Sequence, residues 1–190
     1  MRQVRIHGRG GQGVVTAAEM LSIAAFKQGR YAQAFPSFGS ERMGAPVVAF
    51  CRIDDQEIRL REPVAEPDAV VVQDPTLLRQ MDVCAGVSAN GFILINSSRA
   101  PEDLHVDAYL QRLPAGHVRS VPATEIARQH VGRPLPNAAM LGALAALTGF
   151  VSIDALCEAI GQKFAGAVAE KNRSAARAAY EALTGAATAG

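Results

Sequence analysis

Apolar positions along the chain fall into short strand-like runs over the first two thirds and helical faces over the last third. Gln3-Val4-Arg5-Ile6 alternates polar and β-branched residues and predicts a first strand. Val14 to Gln28 predicts a helix, stopped by Gly29, and Arg30 to Phe35 predicts a return to extended chain. Val47 to Ile53 is a clear strand. After the turn Asp54-Asp55-Gln56, the alternation Glu57-Ile58-Arg59-Leu60-Arg61 predicts the second arm of a β-hairpin with one solvated side. Ala69-Val70-Val71-Val72 and Gly91 to Asn96 are continuous apolar runs, the pattern of strands buried on both faces of a parallel sheet. Val118 to Val121 predicts the last strand.

Capping residues mark the helices between and beyond these runs. Asp74 and Pro75 stand where an N-cap and a first helical residue belong, ahead of a short helix from Thr76 to Met81. Thr124 is placed to cap Glu125 to Val131, Asn137 to cap the alanine-rich Ala138 to Thr148, and Ser152 to cap Ile153 to Phe164. A last helix covers Ala167 to Leu183, with fraying expected from Thr184 to Gly190. The expected architecture is α/β: a mostly parallel sheet with a β-hairpin and a helical C-terminal third, in a single domain over residues 1–190.

Between the first strand and the first helix lies Gly8-Arg9-Gly10-Gly11-Gln12-Gly13. Strand, glycine turn and helix bring backbone N–H groups to a helix N-terminus, where an anion is stabilised. Gly8, Gly10 and Gly13 also fit the dinucleotide pattern Gly-x-Gly-x-x-Gly. That pattern wants an acidic residue about 20 positions on, at the end of the second strand. Here the region reads Tyr31-Ala32-Gln33-Ala34-Phe35-Pro36, and Glu41 comes too late. Three readings of the loop stay open: a seat for a phosphate-bearing ligand, a turn packed at a subunit interface and, without its acidic residue, an orthodox NAD or FAD site. His7, entering the loop, reads as a hydrogen-bonded structural histidine ahead of a catalytic one.

Composition narrows the function. A net charge of +1 with scattered Lys and Arg, and no Trp, leaves neither a basic patch nor a stacking platform for nucleic acid. The longest apolar stretch, Ala138 to Leu147, is half a membrane span, so no membrane span and a cytoplasmic location are expected. Cys51, Cys84 and Cys157 are dispersed and lack Cys-x-x-Cys spacing, which argues against a metal or iron–sulfur site made by this chain alone. Pro36 to Pro46 packs two prolines, two glycines, Phe38 and the pair Glu41-Arg42 into one loop, a composition suited to covering a site or docking on a partner. Asn96, Ser97 and Arg99 follow a buried strand, where open α/β sheets place ligands, and are candidates for the edge of a site.

Several of these stretches together resemble the gamma subunit, or gamma domain, of the 2-oxoacid:acceptor oxidoreductases, the pyruvate:ferredoxin oxidoreductase family. The matching pieces are the glycine loop, Tyr31 to Gly39, Glu41-Arg42, Gly44-Ala45-Pro46-Val47, Pro67-Asp68, Asn137 with Leu141-Gly142-Ala143, Lys163-Phe164, Lys171-Asn172 and Ala179-Tyr180. The family's common Pro-Glu-Arg-Arg reads Ser40-Glu41-Arg42-Met43 here, one cation fewer. The resemblance implies a Rossmann-like domain inside a hetero-oligomer with alpha, beta and delta-type subunits. It implies oxidative decarboxylation of a 2-oxoacid on thiamine diphosphate and Mg, electron transfer through [4Fe-4S] clusters, and release of the acyl group to coenzyme A. Ferredoxin, or NAD through a flavin subunit, would accept the electrons. The cofactors would sit on the partner chains, leaving this chain inactive alone. Pyruvate, 2-oxoglutarate, branched-chain and aryl acids all stay open as substrates. A free-standing NAD- or FAD-binding oxidoreductase and a non-catalytic assembly module are the alternatives.

Overall fold

The computed structural model describes residues 1–37 and 42–187. Its strands are β1 (Arg2–Arg9), β2 (Tyr31–Pro36), β3 (Pro46–Asp54), β4 (Ala69–Val72), β5 (Phe92–Asn96) and β6 (Val118–Val121). They form one six-stranded sheet in the order β2-β3-β1-β4-β5-β6. β1, β4, β5 and β6 are mutually parallel, while β3 runs antiparallel to both β1 and β2. The helices are α1 (Val14–Lys27), α2 (Asp107–Arg112), α3 (Ala123–His130), α4 (Asn137–Thr148), α5 (Ile153–Lys163) and α6 (Gly166–Ala187). The expected α/β class, mostly parallel sheet and helical last third are all present.

The period-2 alternation of β1 separates two layers. Val4 and Ile6 join Cys51, Ile53, Val71 and Leu94 beneath α1, α4, α5 and α6. On the opposite face, Val70, Val72, Ile93 and Ile95 pack against Leu77, Val83, Val87 and Leu104 from the connecting segments. Each such fully buried aliphatic side chain contributes about 1.5–3 kcal/mol. α1 turns Val14, Ala17, Ala18, Met20, Leu21, Ala24 and Ala25 inward at helical spacing. It stops because Gly29 adopts a left-handed φ of 75° and the Gly29 and Arg30 N–H groups close on the carbonyls of Phe26 and Ala25.

The hairpin is real but lies elsewhere than the alternation of Glu57 to Arg61 indicates. It is β2 with β3, and residues 57–61 are not a strand. Both edges of β3 are already taken, by β1 and β2, so a third partner has no backbone to pair with. The strap that follows is gripped from below instead: Arg52 donates to the Glu62 carbonyl, Arg5 to that of Val64 and Gln3 to that of Glu66.

Smaller corrections concern the caps. The helix read as Thr76 to Met81 is a 3₁₀ turn over Pro75–Arg79, capped as expected by Asp74. Thr124 lies inside α3, behind Pro122. Asn137 is the first residue of α4 rather than its N-cap, although its Oδ1 accepts from the Ala138 N–H. Ser152 does cap α5, accepting from the Ala155 N–H at 3.1 Å. α6 continues through Thr184 to Ala187, where fraying was expected.

Candidate functional site

Because β1, β4, β5 and β6 are parallel, the segments after them gather along one edge of the sheet: the glycine loop, Gln73–Thr76, Asn96–Arg99 and Val121–Thr124. From β1 the chain goes one way to β3 and β2 and the other way to β4, β5 and β6. The crevice between β1 and β4 is therefore the switch point at which open α/β sheets bind ligands.

Gln12 fastens the loop there. Its Oε1 accepts from the Arg9 N–H at 2.7 Å, its Nε2 donates to Asp74 at 3.0 Å, and its carbonyl accepts from Gln73 Nε2 at 2.8 Å. Gln73 itself is fully buried. Asp74 also accepts from the Thr76 N–H and hydroxyl and lies 3.3 Å from Arg9 Nε. Burial would raise the Asp74 carboxyl, but the hydrogen bonds from Thr76 and Gln12 and the charge of Arg9 outweigh it and hold it below the ordinary value. Sequence reasoning saw Asp74 only as a helix cap and missed Gln73. Their position just past a fully apolar strand was the available signal.

The glycines themselves are spent on close packing within the chain. A Cβ on Gly10 would stand 2.2 Å from the Arg42 carbonyl oxygen, one on Gly13 2.5 Å from Asn137 Nδ2, and one on Gly8 2.6 Å from Val14 Cγ2. Gly10 also exchanges hydrogen bonds with residues 44 and 45. A Cβ on Gly11 would meet only the Met43 thioether, a flexible group on a residue that is 87% exposed.

What the loop leaves open is the start of α1. Gly13 is the N-cap, with no side chain to cap with, and the first turn holds no acidic residue. The N–H groups of Val14, Val15 and Thr16 have no hydrogen-bond partner among the described residues. Such orphan donors at the positive end of a helix favour an anion.

Arg9 is not free to join them. Its guanidinium is shared among Gly44 O, Thr76 Oγ1, Gln80 Oε1 and Asp74. Asn96 is buried and fully committed, donating to the Gln73 carbonyl and Thr124 Oγ1 and accepting from the Thr124 N–H. Ser97 and Arg99 instead line a cleft of ≈ 350 Å³ beside the 3₁₀ turn. Arg42 is exposed. Phe38 and Glu41 lie outside the described residues.

The topology also weakens the dinucleotide reading. In this sheet β3 stands between β1 and β2. The end of β2, where a ribose-binding acid belongs, is thus two strand spacings from the loop, about 10 Å rather than 5.

Comparison with known proteins places this geometry. The family model described as pyruvate ferredoxin/flavodoxin oxidoreductase matches residues 3–182. The chain belongs to that family. As a member of the pyruvate ferredoxin/flavodoxin oxidoreductase family it is of the gamma type. It is 49% identical over 180 residues to the pyruvate/ketoisovalerate oxidoreductases common subunit gamma of Thermococcus kodakarensis, covering 95% of this chain and 96% of the relative. It is 48% identical over 183 residues to pyruvate synthase subunit PorC of Methanothermobacter thermautotrophicus, covering 96% of each. The crystal structure of the Thermotoga maritima pyruvate oxidoreductase subunit PORC superposes with a TM-score of 0.79 at 38% identity, over 95% of both chains. The 2-oxoglutarate:ferredoxin oxidoreductase of Magnetococcus marinus, solved with 2-oxoglutarate, coenzyme A and succinyl-CoA bound, shares the fold with a TM-score of 0.73. At 19% identity it matches 97% of this chain within 31% of its own.

In this family member the three cysteines lie in separate places, Cys51 in β3, Cys84 in the layer of connecting segments and Cys157 in α5. Burial pushes Cys51 up to about 12, and burial with the nearby Asp82 pushes Cys84 up to about 12. Thiols held neutral in this way are poor metal ligands. No helix among the described residues is long and apolar enough to cross a membrane.

Proposed function

We propose that this chain is the gamma subunit of a multi-subunit 2-oxoacid oxidoreductase and that it presents the start of α1 to a phosphate group of coenzyme A. Thiamine diphosphate, Mg and [4Fe-4S] clusters, carried by alpha, beta and delta-type subunits, supply decarboxylation and electron transfer, with ferredoxin or a flavin subunit and NAD as acceptor. This chain's part is to bind and orient the acyl acceptor. The observation that carries the reading is the uncapped, acid-free first turn of α1 at the sheet's switch point, with the N–H groups of Val14, Val15 and Thr16 unspent. Coenzyme A bound in the Magnetococcus marinus enzyme supports the ligand class. Arg42 and the loop around it dock on a partner subunit in this reading. A second reading, in which the loop is packing alone, is favoured by the contacts that Gly8, Gly10 and Gly13 make with the chain itself.

Thr16→Asp separates the two. A carboxylate in the first turn suits the helix dipole by about 0.3–1 kcal/mol, so the fold should hold or gain. The same carboxylate repels a bound phosphate. In the complex assembled with its alpha, beta and delta-type partners, the KM for coenzyme A should rise at least about tenfold, 1.4 kcal/mol. The 2-oxoacid-dependent reduction of a dye without coenzyme A should not change. An unaltered KM in a stable complex would leave the packing reading standing.

The chain purified alone is expected to be colourless and inactive toward 2-oxoacids. A stoichiometric cluster absorbance on the isolated chain would overturn the assignment of the clusters to its partners.

A further inference from the structure

The cleft beside the 3₁₀ turn is a feature that the proposed role of α1 does not use. Its walls are apolar, with Pro75, Leu78 and Leu104 among them. Its rim is cationic. Arg79 and Arg99 both line it, both are exposed, and neither guanidinium has a hydrogen-bond or ion-pair partner among the described residues. Asp103 lines the same cleft without pairing with either arginine.

An inventory of what is already spent sharpens the chemistry. Gln80 Oε1 accepts from Arg9, which leaves its amide N–H groups unspent. Ser97 Oγ accepts from the Arg99 N–H, which leaves its hydroxyl proton to give. The groups still available along the rim are therefore mostly donors, two guanidinium forks, an amide and a hydroxyl, set against the single carboxylate of Asp103. One carboxylate offers about four acceptor sites and would leave donors over, whereas the three terminal oxygens of a phosphomonoester take more. The cleft volume of ≈ 350 Å³ sits at the lower end of the range for small-molecule sites. His105, on the same wall, has a φ of 60° and is the one non-glycine residue with positive φ among those described. Side chains rarely accept that backbone region.

We propose that this cleft is a binding site for a small organic phosphate, a phosphomonoester on an apolar body of nucleoside size. The phosphate lies between Arg79 and Arg99, and the body lies against Pro75, Leu78 and Leu104. Arg9 joins the cleft to the glycine loop, since its guanidinium holds Thr76 and Gln80 on the cleft side and Gly44 on the loop side. A ligand here is thus placed to stiffen the loop without touching it.

The test uses the full chain, isotope-labelled, with AMP, adenosine and inorganic phosphate as probes, read by amide chemical shifts. AMP should give saturable shifts at Gln80, Ser97, Arg99 and His105. Adenosine and inorganic phosphate should each bind at least tenfold more weakly. The double variant Arg79→Gln/Arg99→Gln, both positions being exposed, should keep the spectrum of the core and lose at least tenfold in AMP affinity. No saturable shift up to about 10 mM AMP would overturn the proposal. So would a response confined to Gly13–Thr16, one that survives in the double variant, or inorganic phosphate binding as tightly as AMP.

Discussion

Gly142→Ala should destabilise the protein by about 3 kcal/mol or more, the upper end of what overpacking costs, and Gly142→Val should leave no cooperatively folded protein. α4 has no polar face: every residue from Asn137 to Ala145 is buried. It lies between the sheet and α6, and its contact with α6 is made of small residues, with Ala175, Ala176 and Ala179 nearly inaccessible. A Cβ on Gly142 would stand 1.9 Å from the Ala176 carbonyl oxygen and 2.8 Å from its Cα. These are backbone atoms, so no rotamer change relieves the clash and the two helices must separate. The sign is what makes the measurement decisive. Alanine has the better helix propensity by about 1 kcal/mol, so a loosely packed contact would make Gly142→Ala stabilising. Gly185→Ala, in α6 with open space around its Cβ, is the matched control and should be neutral or stabilising. Urea unfolding of both variants gives the comparison, and a stabilised Gly142→Ala would show that the helices are not held as close as described.

Much of this arrangement was legible in the chain. The buried runs Ala69 to Val72 and Phe92 to Asn96, the first helix and the caps Asp74 and Ser152 follow from periodicity and local hydrogen-bonding chemistry, which act over a few residues. What was not legible depends on who sits next to whom. Glu57 to Arg61 alternates like a strand, but alternation cannot reveal that β3 already has two neighbours. Asn96 has the chemistry of a ligand-binding residue, yet it ties Gln73 to Thr124 across three segments far apart in sequence. The glycine loop was located correctly and its spacing suggested room for a phosphate. The structure fills the space beside Gly10 with the Arg42 carbonyl and that beside Gly13 with Asn137, so the unspent donors lie one step on, at Val14 to Thr16. Short-range pattern finds elements and turns, whereas the use made of a polar group is decided by partners that the pattern does not encode.

The same limit applies to His7, whose neighbours are expected to make the fold acid-sensitive above pH 4. His7 is 6% exposed on the face of β1 that carries Arg5. Its Nε2 accepts from Arg5 Nε at 3.0 Å, so the ring is neutral with its proton on Nδ1. Burial first, and the charge of Arg5 second, lower its pKa from 6.5 to about 4, with the Val83 carbonyl opposing. The folded value lies below the unfolded one, so between these two values the unfolded chain binds more protons. Stability from this group is complete above pH 6.5 and is lost as the pH falls toward 4, by about 3 kcal/mol in all. The Asp54 and Asp74 carboxyls are both held below 3.8, so their contributions fade only at lower pH. Protonating Nε2 would also set two donors against each other. Arg5 holds the carbonyls of Val64, Val83 and Ala85 as well, so the strap after β3 and the segment after the 3₁₀ turn should loosen together. His7→Gln offers an amide oxygen to Arg5 and no titration. Urea unfolding at intervals from pH 7 to 4 should show the wild-type stability falling with a slope that reaches one extra proton, and the His7→Gln slope smaller by that proton. Parallel slopes in the two proteins would mean that His7 is not the titrating group.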